Sequence, residues 1–120
     1  MCAWSAEKPA AQVVLTKRIG LEAFDKLRAT NANVVILDVR SAAEFEKGRI
    51  AGSTNINISS LHFEENLGAL DKSKTYVVTC AVGMRSARAC KKMESLGFKE
   101  LYDLAPGFDG WKKAGRPFEK

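Results

Sequence analysis

Apolar positions along the chain follow two alternating patterns. "VVILDV" (residues 34–39) and "YVVT" (76–79) are continuous runs rich in β-branched side chains. Such runs suit strands buried on both faces of a parallel sheet. Shorter runs at 13–16 ("VVLT"), 54–58 ("TNINI") and 100–104 ("ELYDL") predict further strands. Between them the spacing turns helical. Residues 19–29 set Leu21, Phe24, Leu27 and Arg28 along one side, and Ala89, Met93 and Leu96 share a face further on.

End signals sharpen these elements. Ser41 with Glu44 three residues later has the spacing of a capping box, and Gly48 is placed to end that helix. Ser59 or Ser60 is placed to cap a helix over 61–67. Gly97 occupies a left-handed C-cap position, with Phe98 folding back on the helix. "GFDGWKKAG" (107–115) predicts a short helix stopped by Gly115, with Pro117 beyond. Strands alternating with helices predict an α/β fold with a mainly parallel central sheet and helices on both faces. Residues 1–11, with Pro9 among small and polar residues, read as a flexible N-terminal arm, and 12–120 as a single domain.

Composition narrows the partners. At 120 residues and 46% hydrophobic, the chain supports one core without disulfide or metal staples. The net charge of +5 favours an anion: nucleic acid, a membrane surface or a small oxyanion. Nucleic acid is disfavoured, because Lys and Arg are spread along the chain and aromatic residues make up only 8%. A membrane span is disfavoured too, since no apolar run approaches the roughly 20 residues it needs. Of the nearest basic cluster, Arg85, Arg88, Lys91 and Lys92, the last two read as a solvated helix face. Three cysteines (Cys2, Cys80, Cys90) and one histidine (His62) have no zinc-ligand spacing and no even disulfide count. No metal or cofactor is expected, and a cytoplasmic or other reducing compartment is. The N-terminus shows no secretory signal. No motif sets an oligomeric state.

Candidate chemistry concentrates in "YVVTCAVGMRSAR" (76–88). In parallel sheets, ligands bind beyond the carboxyl ends of the strands, where Cys80 falls. The loop from strand to helix, with the helix expected to begin near Ser86, turns backbone N–H groups inward as an anion cradle. Gly83 permits the tight turn. Arg85 adds a fixed charge. A cysteine at a helix N-terminus beside arginine should ionise readily, so no histidine base is required. The competing reading is a buried small hydrophobe.

These residues resemble the rhodanese family of sulfurtransferases. "ILDVRSAAEFEKGRIAGSTNIN" (36–57) is similar to the family's first signature. "VVTCAVGMRSARA" (77–89) resembles its active-site loop, and "GFKELYDLAPGFDGWKKAGRPFE" (97–119) its closing segment. The resemblance implies that the Cys80 thiolate takes sulfane sulfur from thiosulfate or a related small anionic donor. The resulting persulfide would pass sulfur to cyanide, a small thiol or a thiol protein. It implies that loop amides of Ala81, Val82, Gly83, Met84 and Arg85 bind the donor's oxyanion, with Arg85 also bracing the loop. Asp38 and Arg40 would support the site, although a surface ion pair is the competing reading of those two. Four residues separate Cys80 from Arg85, whereas related phosphatases have five; the shorter ring suits sulfur over phosphate. Retention of Cys80, Gly83 and Arg85 favours an enzyme over a non-catalytic interaction module, and a relay to a partner protein stays open. Three positions depart from the pattern: Arg49 for a histidine, Asn57 for a proline, and Pro106 for a glycine beside the pocket.

Other residues carry plainer expectations. Cys90 reads as core, with a resolving thiol as the alternative. Cys2 lies in the arm, with a mobile sulfur acceptor as its sharper reading. His62 reads as a polar residue on the helix surface, Trp111 as packing, and Glu64 and Glu65 as a solvated helix face.

Overall fold

The computed structural model describes residues 15–120. The expected arm, Cys2 and the first two residues of the 13–16 run, Val13 and Val14, lie outside them. Ten elements follow in order: β1 (Lys17–Ile19), α1 (Leu21–Thr30), β2 (Val35–Asp38), α2 (Ala42–Lys47), β3 (Thr54–Asn55), α3 (Phe63–Gly68), β4 (Thr75–Thr79), α4 (Met84–Ser95), β5 (Glu100–Leu104) and α5 (Gly107–Lys113). The strands form one sheet in the order β1-β5-β4-β2-β3, all pairs parallel.

Alternation along the central strands distributes side chains to two cores. Leu37, Val39, Tyr76 and Val78 face α3 and α4, meeting Phe63, Leu67, Ala89, Cys90 and Met93. Ile36 and Val77 face the other way, toward Phe24 of α1 and Phe108 and Trp111 of α5. Full burial of each such aliphatic side chain contributes about 1.5–3 kcal/mol. The expected α/β layering is therefore present, with Trp111 in the packing role expected of it.

Several end signals act as read. Ser41 and Glu44 form both halves of the capping box. After α4, Gly97 adopts φ +90° while its N–H bonds the Glu94 carbonyl and that of Phe98 bonds the Met93 carbonyl, closing a Schellman motif. Phe98 then lies buried against Tyr76, ring centroids 5.2 Å apart.

Other elements are displaced from their expected bounds. The first strand is Lys17–Ile19, not 13–16: β1 is an edge strand whose pairing with β5 begins at Lys17 opposite Tyr102. Ile19 closes that strand, so α1 starts at Leu21, and Arg28 lies over the Phe24 ring at 4.5 Å. The 54–58 run pairs only at Thr54 and Asn55, after which Ile58 N–H turns back to the Val39 carbonyl. α3 begins at Phe63, with His62 at its N-cap and no side-chain cap. Ser60 Oγ accepts from His62 N–H in the preceding turn instead, and His62 is exposed beside Glu65 rather than within the helix. Leu96 is the half-buried C-cap of α4 and packs against the same core as Ala89 and Met93, as expected of that face. Lys92 keeps its expected solvated place, where it pairs with the exposed Glu64 at 3.0 Å. Among the described residues no helix is long and apolar enough to cross a membrane.

Candidate active site

Cys80 follows β4 directly, and α4 begins at Met84, two residues before the expected start. Gly83 is the N-cap at φ +91°, a conformation that disfavours a side chain, and a Cβ there would meet the Ala105 carbonyl oxygen at 2.5 Å. The tight loop folds around the sulfur. Gly83 N–H donates to Cys80 Sγ at 3.1 Å and Ser86 N–H at 3.3 Å, while the thiol donates to Ser86 Oγ at 3.5 Å.

The sulfur is fully buried. Burial alone pushes a thiol up, but the N–H groups of Ser86, Gly83 and Val82 outweigh it and hold Cys80 below its ordinary value. Of the two expected causes, the helix N-terminus and the arginine charge, the amides dominate the lowering. The Arg85 guanidinium is turned to Glu44 in a two-pronged pair at 2.8 and 3.0 Å. That pair holds the Glu44 carboxyl down to about 2. Arg85 thereby ties the first turn of α4 to the capping box of α2.

The other expected residues spread around this centre. Val82 and Met84 point outward, 59% and 74% exposed, and Ala81 accepts from Asp109 N–H at 3.0 Å. Asp38 and Arg40 are buried rather than on the surface, joined at 2.7 Å. Arg40 also donates to the Gly48 carbonyl at 2.7 Å and lies over the Phe108 ring at 4.5 Å. Phe108 N–H donates to the Cys80 carbonyl at 2.7 Å. Asn55 donates to the carbonyls of Asp38 and Arg40, both at 2.9 Å. The pair therefore braces the end of β2 and, through Phe108, the backbone at Cys80.

The departures from the pattern have local accounts. Pro106 is the N-cap of α5 and leads into Gly107 at φ +66°, where a side chain would collide with the Ala81 carbonyl. This segment clamps the loop backbone from above. Arg49 stacks on Phe45 and exchanges backbone hydrogen bonds with Glu119. Asn57 Oδ1 accepts from Ser59 N–H, making a turn of its own.

Three partners were not singled out from sequence. Glu44 reads as a cap alone, Ser86 as a helix start, and Asp103 as one position of the 100–104 strand. Asp103 is buried and accepts the Ser86 hydroxyl at 2.6 Å on one oxygen and Arg18 at 2.6 Å on the other. Only the Ser at the helix start was a visible signal. Beside the loop, Arg18, Arg85 and Arg88 line a concave surface with Gly83 and Met84. It is suited to an anion. Cys90 lies one turn beyond Ser86 on the buried side of α4, and burial first, then Asp103, pushes its thiol up to about 12.

Comparison with known proteins identifies the family. Thiosulfate sulfurtransferase GlpE of Stutzerimonas stutzeri is 35% identical over 96 residues, covering 80% of this chain and 84% of that one. YrkF of Bacillus subtilis is 32% identical over 93 residues, and the chain spans about half of its length, 49%. A rhodanese-related protein from Thermoplasma volcanium superposes with a TM-score of 0.73 at 33% identity, covering 86% of this chain and 97% of that one. The rhodanese-like domain profile matches residues 21–114, and the chain belongs to that family.

Proposed function

We propose that the chain is a sulfurtransferase that moves sulfane sulfur from thiosulfate, or a related small anionic donor, through a persulfide on Cys80. The carrying observation is the buried Cys80 sulfur facing the Gly83 and Ser86 amides at a helix N-terminus. Relatives named thiosulfate sulfurtransferase support the choice of donor.

In the first half-reaction the Cys80 thiolate attacks the outer sulfur of thiosulfate. The new S–S bond forms as the donor's own S–S bond breaks, and sulfite leaves with that electron pair. The inward N–H groups stabilise negative charge on both the thiolate and the persulfide. In the second half-reaction cyanide or a thiolate attacks the outer sulfur, and Cys80 leaves as thiolate. Arg85 and Glu44 keep the loop in register, and the surface lined by Arg18, Arg85 and Arg88 draws the anion in. Asp38 and Arg40 act through the backbone they brace. Free thiols at Cys80 and Cys90 fit a reducing compartment such as the cytoplasm.

Intact-protein mass spectrometry after incubation with thiosulfate tests this reading. Wild type should gain one sulfur that cyanide removes, and Cys80→Ser should gain none. Equal gain in both proteins, or none in wild type with thiosulfate and with 3-mercaptopyruvate, would overturn it.

A further inference from the structure

Ser86 has one hydroxyl proton and two claimants for it. Asp103 Oδ1 lies 2.6 Å from Ser86 Oγ, whereas the Cys80 sulfur lies 3.5 Å away. A short O–H···O⁻ contact to a buried carboxylate wins that competition. Ser86 therefore presents lone pairs to the sulfur and accepts from the thiol. The hydroxyl helps the thiolate only if it swings away from Asp103, which would leave a buried carboxylate oxygen without its donor. Arg18 fixes the geometry from the far side by occupying Asp103 Oδ2 at 2.6 Å.

We propose that Asp103 is a positioning residue that sets the balance between sulfur loading and unloading by holding the Ser86 proton away from Cys80. The inference rests on the sulfurtransferase reading, because a sulfur carrier must use one cysteine in both directions. Cys80 must attack as a nucleophile in the first half-reaction and depart as a leaving group in the second. A less basic sulfur attacks more slowly per thiolate but leaves faster, with attack following a Brønsted coefficient of about 0.4–0.5. Asp103 therefore works as a brake: it keeps the thiolate more basic than the amide cradle alone would make it.

Other charged groups around the sulfur are already engaged. On α4, Arg85 is turned to Glu44, and the Cys90 thiol stays neutral. On β2, Asp38 and Arg40 close on each other. On β1, Arg18 is committed to Asp103 itself. Asp103 is thus the acceptor whose replacement changes where the Ser86 proton points.

Asp103→Asn makes the test specific. Facing Arg18, the amide must present its oxygen there and its NH₂ to Ser86 Oγ, which frees the Ser86 proton for the sulfur. The pH dependence of iodoacetamide alkylation, read at Cys80 by peptide mapping, should shift down by about one unit. Single-turnover loading by thiosulfate, per thiolate, should then slow about threefold, while unloading to cyanide accelerates by a similar factor. In a Ser86→Ala background the same substitution should shift the titration by less than half as much. An unshifted titration, a shift that persists in full without Ser86, or both half-reactions changing in the same direction would each overturn the proposal. Should Asp103→Asn fail to fold, Arg18→Gln at an exposed side chain strengthens the carboxylate's claim on the proton and should raise the titration. No rise overturns the proposal. Alkylation needs no sulfur donor, so it judges Asp103 even where wild type takes up no sulfur and the sulfurtransferase reading itself fails.

Discussion

Cys80 and Cys90 stand ten positions apart on one strand-loop-helix unit, and both are sealed from solvent, at 0% and 2% exposure. Their acidities nevertheless move in opposite directions: Cys80 falls below the ordinary thiol value and Cys90 rises to about 12. Burial pushes both upward. What differs is the backbone. At the start of α4 the N–H groups have no intrahelical partners and turn to the sulfur, whereas around Cys90 the helix uses its own amides. Among the described residues the Cys90 thiol donates to the distant Tyr102 carbonyl, at 4.0 Å. A buried thiol is therefore inert by default, and free amides at a helix N-terminus activate it.

The most direct way to break this comparison is Cys80→Ser, which should abolish cyanide-removable sulfur uptake while Cys90 stays intact. Next in size is Gly83→Ala. Its Cβ cannot coexist with the Ala105 carbonyl, and the left-handed backbone would be strained by about 1–3 kcal/mol. Thermal unfolding should show that loss, and thiosulfate turnover should fall at least about tenfold as the Gly83 N–H leaves the sulfur.

Arg85→Ala should weaken turnover and donor binding more mildly, about tenfold in kcat/KM, since the loop keeps its amides but loses the tie to Glu44. The pair also has a pH signature. Glu44 ionises near 2 when folded, below its unfolded value near 4.3, so its contribution is full above that unfolded value and is lost as pH falls through about 2. Acid titration followed by circular dichroism should show this loss in wild type and a smaller one in Arg85→Ala, where only the Ser41 hydrogen bonds still hold Glu44 down.

Cys90 supplies the smallest effects. Cys90→Ser should leave turnover near wild type, at a stability cost of about 1 kcal/mol for burying a hydroxyl. Loss of turnover in that variant with folding intact would show that the thiol has a resolving role instead. Because the folded Cys90 thiol holds its proton up to about 12, the unfolded chain binds fewer protons above about 8.5, and stability falls with pH across that window. Cys80 tilts stability the other way, raising it as pH climbs from its lowered value toward about 8.5. Chemical denaturation from pH 8 to 11 should show a shallower decline in Cys90→Ala than in wild type.

Local rules made much of this legible. The β-branched runs of β2 and β4, the Ser41–Glu44 box and the Gly97–Phe98 stop depend on residues within a few positions of one another, and each forms as read. Short edge elements escaped the same rules. β1 is exposed and polar, with Lys17 and Arg18, so no apolar run marks it, and its limits come from pairing with β5. β3 stops at Asn55 because the side chain turns to the carbonyls closing β2.

By itself, the sequence determined the order of strands and helices, the place of Cys80 between one strand and one helix, and the resemblance to rhodanese. Tertiary structure alone decided where the charges went. Arg85 reaches across 41 positions to Glu44, Ser86 across 17 to Asp103, and Arg18 across 85 to the same carboxylate. Hydrophobic periodicity records which face of an element is buried. It does not record which charged side chains meet once parallel strands bring their carboxyl ends to one edge.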